Sequence, residues 1–206
     1  MSKIVLIGGG GHCKSVIDVV KNLDYYDEIV ITDPLIEVGN KINGCEVLGS
    51  DDCLYNLRNN GYKYAFITVG SVGSNNVRKM LMEKIKSFGF ELPVIIDPSA
   101  VVARSSRIEE GTFIGKNVVI NSDVIIGANS IINTASIIEH DCVIGNFTHV
   151  SVGAIICGGC NIGDCSFIGA GTTVIQGINI GDNVTIGANS TVLNDVENNL
   201  KRYGIV

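Results

Sequence analysis

Seventeen successive positions at an interval of six, from Ile96 through Val102, Ile108 and onward to Val192, are all Ile or Val. A hexapeptide period of this length is the sequence signature of a parallel β-helix. Three hexads make one triangular coil, with an aliphatic side chain pointing inward from each face. Seventeen hexads therefore make between five and six coils. Burial of each inward Ile or Val contributes about 1.5–3 kcal/mol, so the stack needs neither aromatics nor disulfides. The rest of the hexad agrees. The residue after the repeat position is Gly at 115, 127, 145, 163, 169, 181 and 187 and Asn at 121 and 133, types expected where the backbone turns left-handed at a corner. Four residues after the repeat position the chain is mostly small: Ser130, Ser136, Cys142, Thr148, Ala154, Cys160, Ser166, Thr172 and Ser190.

The first 98 residues are built differently. They hold all three prolines and 22 of the 36 charged residues, while Ser99–Val192 has no proline and 10 charges. Strand and helix patterns alternate. Lys3–Ile7, Glu28–Thr32 and Ala65–Val69 read as strands. Val16, Val19, Val20 and Leu23 recur at helical spacing, and Asn75–Phe88 reads as a second helix with Val77, Met80, Leu81 and Ile85 on its apolar side and Gly89 as its cap. This alternation predicts a small Rossmann-like parallel sheet. The expected division is an α/β domain over residues 1–95, a β-helix over 96–194 and a tail over 195–206.

Composition removes several functions. A net charge of −6 leaves nothing to neutralise nucleic-acid phosphates in bulk. No apolar run reaches the roughly 18–20 residues of a membrane span, and the apolar start is too short for a signal segment, so the expectation is a cytoplasmic chain without membrane insertion. Seven scattered cysteines fit reduced thiols. Cys157 and Cys160 form one CxxC, but Cys142 and Cys160 fall in the small-residue slot of the hexad, and no metal is expected.

Polar residues that break the aliphatic pattern are the candidates for chemistry. His140 and His149 lie nine residues apart, and His140 is flanked by Glu139 and Asp141. A histidine beside carboxylates is oriented and made more basic, as a general base requires. Gly8 to Gly11 ends the first strand and opens a helix, where backbone amides and the helix dipole suit a phosphate. The same stretch also fits a dinucleotide loop, with Asp33 near the usual spacing, or a plain tight turn.

The segment Asn133-Thr134-Ala135-Ser136-Ile137-Ile138-Glu139-His140-Asp141, continued by Ile144-Gly145 and His149–Ala154, resembles a signature of the sialic acid O-acetyltransferase-like, or bacillosamine-type nucleotide-sugar N-acetyltransferase, family. Gly8–His12 resembles the family's opening G-x-x-G-H. The resemblance implies a left-handed β-helix, acetyl-CoA as co-substrate, no metal, and a homotrimer with sites between subunits. It implies N-acetylation of a nucleotide-linked amino sugar of the UDP-4-amino-4,6-dideoxy type. His140 would be the general base and Asp141 its orienting acid, where the family commonly has Glu. His149 and Gly158 would meet the cofactor, Gly158 through a backbone amide at the thioester oxygen. Gly8, Gly10, Gly11, His12, Asp33, Gly70 and Asn133 would meet the nucleotide sugar. Tyr203–Val206 resembles the start of the family's C-terminal tail. Three other readings stay open: a sugar or sialic acid O-acetyltransferase, a non-catalytic nucleotide-binding trimer, and a zinc lyase, which would need a third histidine in the β-helix.

Overall fold

The computed structural model describes residues 2–71 and 73–206. It contains two compact units, Met1–Gly70 with Asn76–Ile95, and Ser71–Asn75 with Ile96–Val206.

The first unit runs β1 (Lys3–Ile7), α1 (Gly11–Leu23), β2 (Glu28–Thr32), β3 (Lys41–Ile42), β4 (Cys45–Gly49), α2 (Leu54–Asn59), β5 (Tyr64–Ile67) and α3 (Asn76–Ser87), with a 3₁₀ turn at Asp51–Cys53. The sheet order is β3-β4-β2-β1-β5, parallel except for the β3–β4 pair. The sequence pattern missed β3, β4 and α2. β4 fully buries only Cys45 and Val47, with Glu46 exposed between them, so it carries no continuous apolar run like those of β1 and β5. α3 also differs from expectation. Its buried residues are Arg78, Leu81 and Ile85, whereas Val77 and Met80 are more than half exposed. The aliphatic stem of an arginine can cover apolar surface as a leucine does, which a count of apolar residues overlooks. The C-terminal ends of β1, β2, β4 and β5 lie along one edge and deliver Gly8, Asp33, Asp51 and Thr68 there.

The second unit is a left-handed β-helix. Seventeen two-residue strands, β6 (Ile95–Ile96) to β22 (Thr191–Val192), recur every six residues and form three parallel sheets. Each strand pairs with the one eighteen residues away, as Ile120 with Ile138 and Ile138 with Ile156. From Ile114 on, every repeat residue is at most 2% exposed and joins one continuous core. The small slot is buried yet often polar, for a specific reason. Ser130 Oγ donates to Gly145 O (2.8 Å), Thr148 Oγ1 to Gly163 O (2.7 Å) and Ser166 Oγ to Gly181 O (2.7 Å). Cys142 Sγ makes the same contact to Cys157 O at 3.1 Å, and Cys160 Sγ to Ile175 O at 3.1 Å. These two cysteines are structural donors to backbone carbonyls of the next coil.

The corners correct one expectation. The left-handed residue is the third after the repeat position, not the first: Asn117, Asp123, Asn129, Ala135, Asp141, Phe147, Cys165, Asn183 and Asn189 all have φ between 53° and 61°. The glycines one place after the repeat position serve another purpose. A Cβ on Gly145 would lie 2.6 Å from Asp164 N, and one on Gly163 2.6 Å from Gly181 C, both in the next coil. Close stacking of coils, rather than backbone handedness, excludes side chains there.

Residues 195–206 pack onto the end of the β-helix. β23 (Lys201–Arg202) extends the sheet by pairing with β21 (Thr185–Ile186), and Thr191 bridges Ile205. The pairing spans sixteen residues, so this last coil is two residues shorter than those before it. Among the described residues, no helix is long and apolar enough to cross a membrane.

Candidate active site

His140 stands on the corner that follows β13 (Ile137–Ile138). Its place in the hexad turns it outward, and its side chain is 54% exposed. Asp141 occupies the left-handed position with φ 59°, and its Oδ2 meets His140 Nδ1 at 2.8 Å. Although one methylene shorter than the glutamate common in the family, Asp141 reaches the ring. Nδ1–H donates to the carboxylate, so Nε2 is left as the basic nitrogen. The hydrogen bond to Asp141, more than the nearby negative charge of Asp141 and Glu139, holds the His140 pKa above its ordinary value. Glu139 accepts from Asn121 Nδ2 at 2.9 Å. Gly159 N donates to His140 O at 2.8 Å and pins the corner.

Gly158 lies one coil further on and touches the imidazole. A Cβ there would be 2.7 Å from both Cε1 and Nε2 of His140. Only glycine leaves the ring its place and keeps backbone within reach of Nε2. His140, Asp141 and Gly158 thus form one group.

His149 is in a second group. It lies on β15 (His149–Val150), is 7% exposed, and packs edge-on against Phe167 at 5.1 Å between ring centroids. Its Nε2 is 3.2 Å from Asn133 Nδ2, and its Nδ1 is 3.0 Å from Ser71 Oγ. Asn133 Oδ1 accepts from Thr134 N at 2.8 Å, which orients the amide with its NH₂ toward the histidine. His149 Nε2 is therefore the acceptor, and Nδ1–H donates to Ser71. Asn133 and His149 meet as a pair, with both ring nitrogens of His149 directed into the protein.

The third group lies in the α/β unit. Gly8, Gly10, Gly11, His12, Asp33 and Gly70 all line one cleft of about 420 Å³. α1 begins at Gly11 without a side-chain cap and without an acidic residue in its first turn. A side chain at Gly10 or Gly11 would meet nothing within 4 Å, so that backbone faces open space. Backbone N–H groups of a helix N-terminus beside such space suit an anion. Asp33 holds the loop, its Oδ2 accepting from Gly9 N at 2.6 Å and its Oδ1 from Leu35 N at 2.8 Å. Cys13 is buried behind the loop, and burial pushes its thiol up to about 11, which removes it as a nucleophile.

Sequence reasoning missed Ser71, Asp51 and Thr68. Thr68 Oγ1 donates to Gly8 O at 2.5 Å across the cleft floor. Asn75 Nδ2 donates to Cys165 O at 3.3 Å within the β-helix unit. Among the described residues, no group of three or more His, Cys, Asp or Glu is placed to hold a metal ion.

An α/β unit with a glycine-rich helix N-terminus, joined to a hexapeptide β-helix with a carboxylate-held corner histidine, has the architecture of a hexapeptide transferase. Residues 3–85 match the PglD N-terminal domain, 105–140 the bacterial transferase hexapeptide (six repeats), and 159–194 the hexapeptide repeat of succinyl-transferase. The chain is similar to the acetyltransferase domain of PglB from Neisseria gonorrhoeae FA1090, at 32% identity over 99% of this chain and 97% of that one, with a TM-score of 0.93. The same domain in complex with acetyl coenzyme A matches at 32% identity, 98% and 96% coverage and a TM-score of 0.91. PerB from Caulobacter crescentus, in complex with CoA and GDP-perosamine, matches at 35% identity, 99% and 95% coverage and a TM-score of 0.89. The chain belongs to this family of nucleotide-sugar acetyltransferases, with a PglD-type N-terminal domain and a hexapeptide-repeat β-helix.

Proposed function

We propose that the protein transfers acetyl from acetyl-CoA to an amino group of a nucleotide-linked deoxyamino sugar, in one direct step. The observation that carries this reading is the His140–Asp141–Gly158 group. His140 Nε2 takes a proton from the sugar amine as the nitrogen attacks the thioester carbonyl. The tetrahedral adduct then breaks its C–S bond and expels CoA, whose sulfur takes the proton back from His140. Asp141 holds the ring in the tautomer that leaves Nε2 basic and stabilises the imidazolium that forms. The Gly158 backbone N–H serves the developing oxyanion. Because a thioester is already activated, no acyl-enzyme is needed, and positioning supplies much of the rate.

The α/β unit, residues 1–95 in this reading, binds the nucleotide sugar. The open N-terminus of α1 takes the diphosphate, with His12 and Gly70 at the rim of the same cleft. The relatives that hold acetyl coenzyme A, or CoA with GDP-perosamine, support this assignment of substrates. His149 and Asn133 hold one another within the β-helix. A homotrimer accounts for two features. His140 lies too open on its own coil to exclude water, and outward Val152, Ile155, Ile175 and Leu193 are 37–47% exposed.

The test is release of free CoA from acetyl-CoA with a panel of UDP- and GDP-linked amino sugars. Thiol release with at least one amino sugar, abolished in His140→Ala, is the expected result. Release only with a sialic acid would make the protein an O-acetyltransferase. No release with any acceptor would leave the non-catalytic reading. Sedimentation equilibrium checks the trimer, and a monomer at micromolar concentration would remove it.

A further inference from the structure

The cleft of the α/β unit has two chemically different ends. One is the N-terminus of α1, rich in backbone N–H and free of first-turn acids. The other carries two carboxylates, Asp33 and Asp51. A carboxylate repels a phosphate, so these acids call for a part of the ligand that donates hydrogen bonds.

The sheet sets the order of these groups. β1, β2 and β4 are successive parallel neighbours. The helix N-terminus follows β1, Asp33 follows β2, and Asp51 follows β4. A nucleoside diphosphate has the same linear order of phosphates, ribose and base. With the phosphates at α1, the ribose falls at Asp33 and the base at Asp51. The two acids are also occupied differently. Both oxygens of Asp33 accept backbone N–H groups of its own loop. Asp51 commits only Oδ1, which accepts from Thr32 Oγ1 at 3.0 Å. Its Oδ2 accepts from no protein donor among the described residues. The carboxyl is half-buried, and burial pushes its pKa up against the Thr32 hydroxyl, so it has lost part of its water and gained little from the protein.

We propose that Asp51 reads the nucleobase, its Oδ2 accepting the ring N–H of a base that carries one: uracil, thymine or guanine. Adenine and cytosine present a ring nitrogen lone pair in that position, and a lone pair facing a carboxylate is repelled. Thr32 is the positioning residue that turns Oδ2 toward the base by holding Oδ1. The assignment rests on the nucleotide-sugar reading of the cleft and narrows it to a class of nucleotide.

Calorimetric binding of UDP, GDP, CDP and ADP tests it. The wild type is expected to bind UDP or GDP about 10- to 100-fold more tightly than CDP and ADP, the range of a hydrogen bond to a charged group. In Asp51→Asn, whose amide offers both a donor and an acceptor, the preference should collapse to within about threefold. A preference that persists in Asp51→Asn overturns the assignment. So does an equal loss for all four nucleotides, which would place the carboxylate on the ribose or in the scaffold. The ligand side gives a test independent of how the variant folds. N3-methyl-UDP and N1-methyl-GDP lack the ring N–H and should bind the wild type about 10-fold or more weakly than their parents. Equal binding overturns the proposal. If none of the four nucleotides binds the wild type, the nucleotide-sugar reading itself falls, and this assignment falls with it.

Discussion

His140 and His149 belong to the same β-helix and lie nine residues apart, yet they are opposite kinds of histidine. His140 sits on a corner, half open to solvent, with one ring nitrogen held by a carboxylate and the other kept clear by a glycine. His149 sits on a strand, buried, with one nitrogen on Asn133 and the other on Ser71. Nine is one and a half hexads, so the two cannot share a position in the repeat. The corner position exposes a side chain and allows its neighbour a left-handed backbone that folds an acid back onto it. The strand position presses a side chain into a ladder with Ile131 above and Phe167 below. Place in the hexad, not residue type, decides which histidine is available for chemistry.

The contrast is broken or confirmed first by the histidines themselves. His140→Ala should lower kcat by about 10²–10⁴-fold, the usual contribution of a positioned base, with the melting temperature unchanged. A loss under tenfold would remove His140 as the base. Gly158→Ala should come next. Its Cβ would come within 2.7 Å of Cε1 and Nε2 and so displaces the ring, and a misplacement of about 1 Å costs about 10²-fold in kcat. His149→Ala should act mainly on stability. It strands Asn133 and Ser71 and should cost about 1–3 kcal/mol in urea denaturation, with a smaller effect on kcat than His140→Ala. The reverse pattern, lost rate with full stability, would make His149 the working residue.

The smallest effect separates charge from geometry. Asp141→Asn still accepts from Nδ1–H but carries no charge. The folded pKa of His140 is raised by Asp141, and the base works only when neutral, so activity falls as pH drops through that raised value. Without the charge, the acid limb of the kcat/KM profile should move to lower pH. An unmoved limb would assign it to another group.

Much of this was legible in residue order. The hexad located the Ile or Val at each repeat position of the core, because a strict period leaves one register, but not Val118, Val124, Ile178 and Val184, which fill the small-residue slot of the same core. It also isolated His140 and Asp141 as polar intrusions, while Gly8–Gly11 stood out separately, as the glycine-rich end of the first strand. What escaped has physical causes. The left-handed corner accepts Asn, Asp, Ala, Phe and Cys as well as Gly, so composition alone points to the wrong place in the hexad. Ser71 meets His149 across 78 residues of chain, a distance at which spacing carries no signal. Asp51 was hidden because β4, the strand that delivers it, is broken by the exposed Glu46 and follows a two-residue hairpin partner.

The eighteen-residue separation of His140 and Gly158 has a consequence for how such a chain changes over time. Each coil contacts mainly its neighbours, so a whole coil inserted or lost outside this interval leaves the pair intact. A single hexad gained or lost between residues 140 and 158 is different. It would keep every Ile and Val pointing inward, and the stack would still be filled. Yet each later corner would move to the next edge of the triangle, and Gly158 would no longer lie over the imidazole. The scaffold tolerates changes in multiples of six, whereas the chemistry tolerates only multiples of eighteen. Length variation among relatives should therefore be sparse between these two residues and freer toward the ends of the stack.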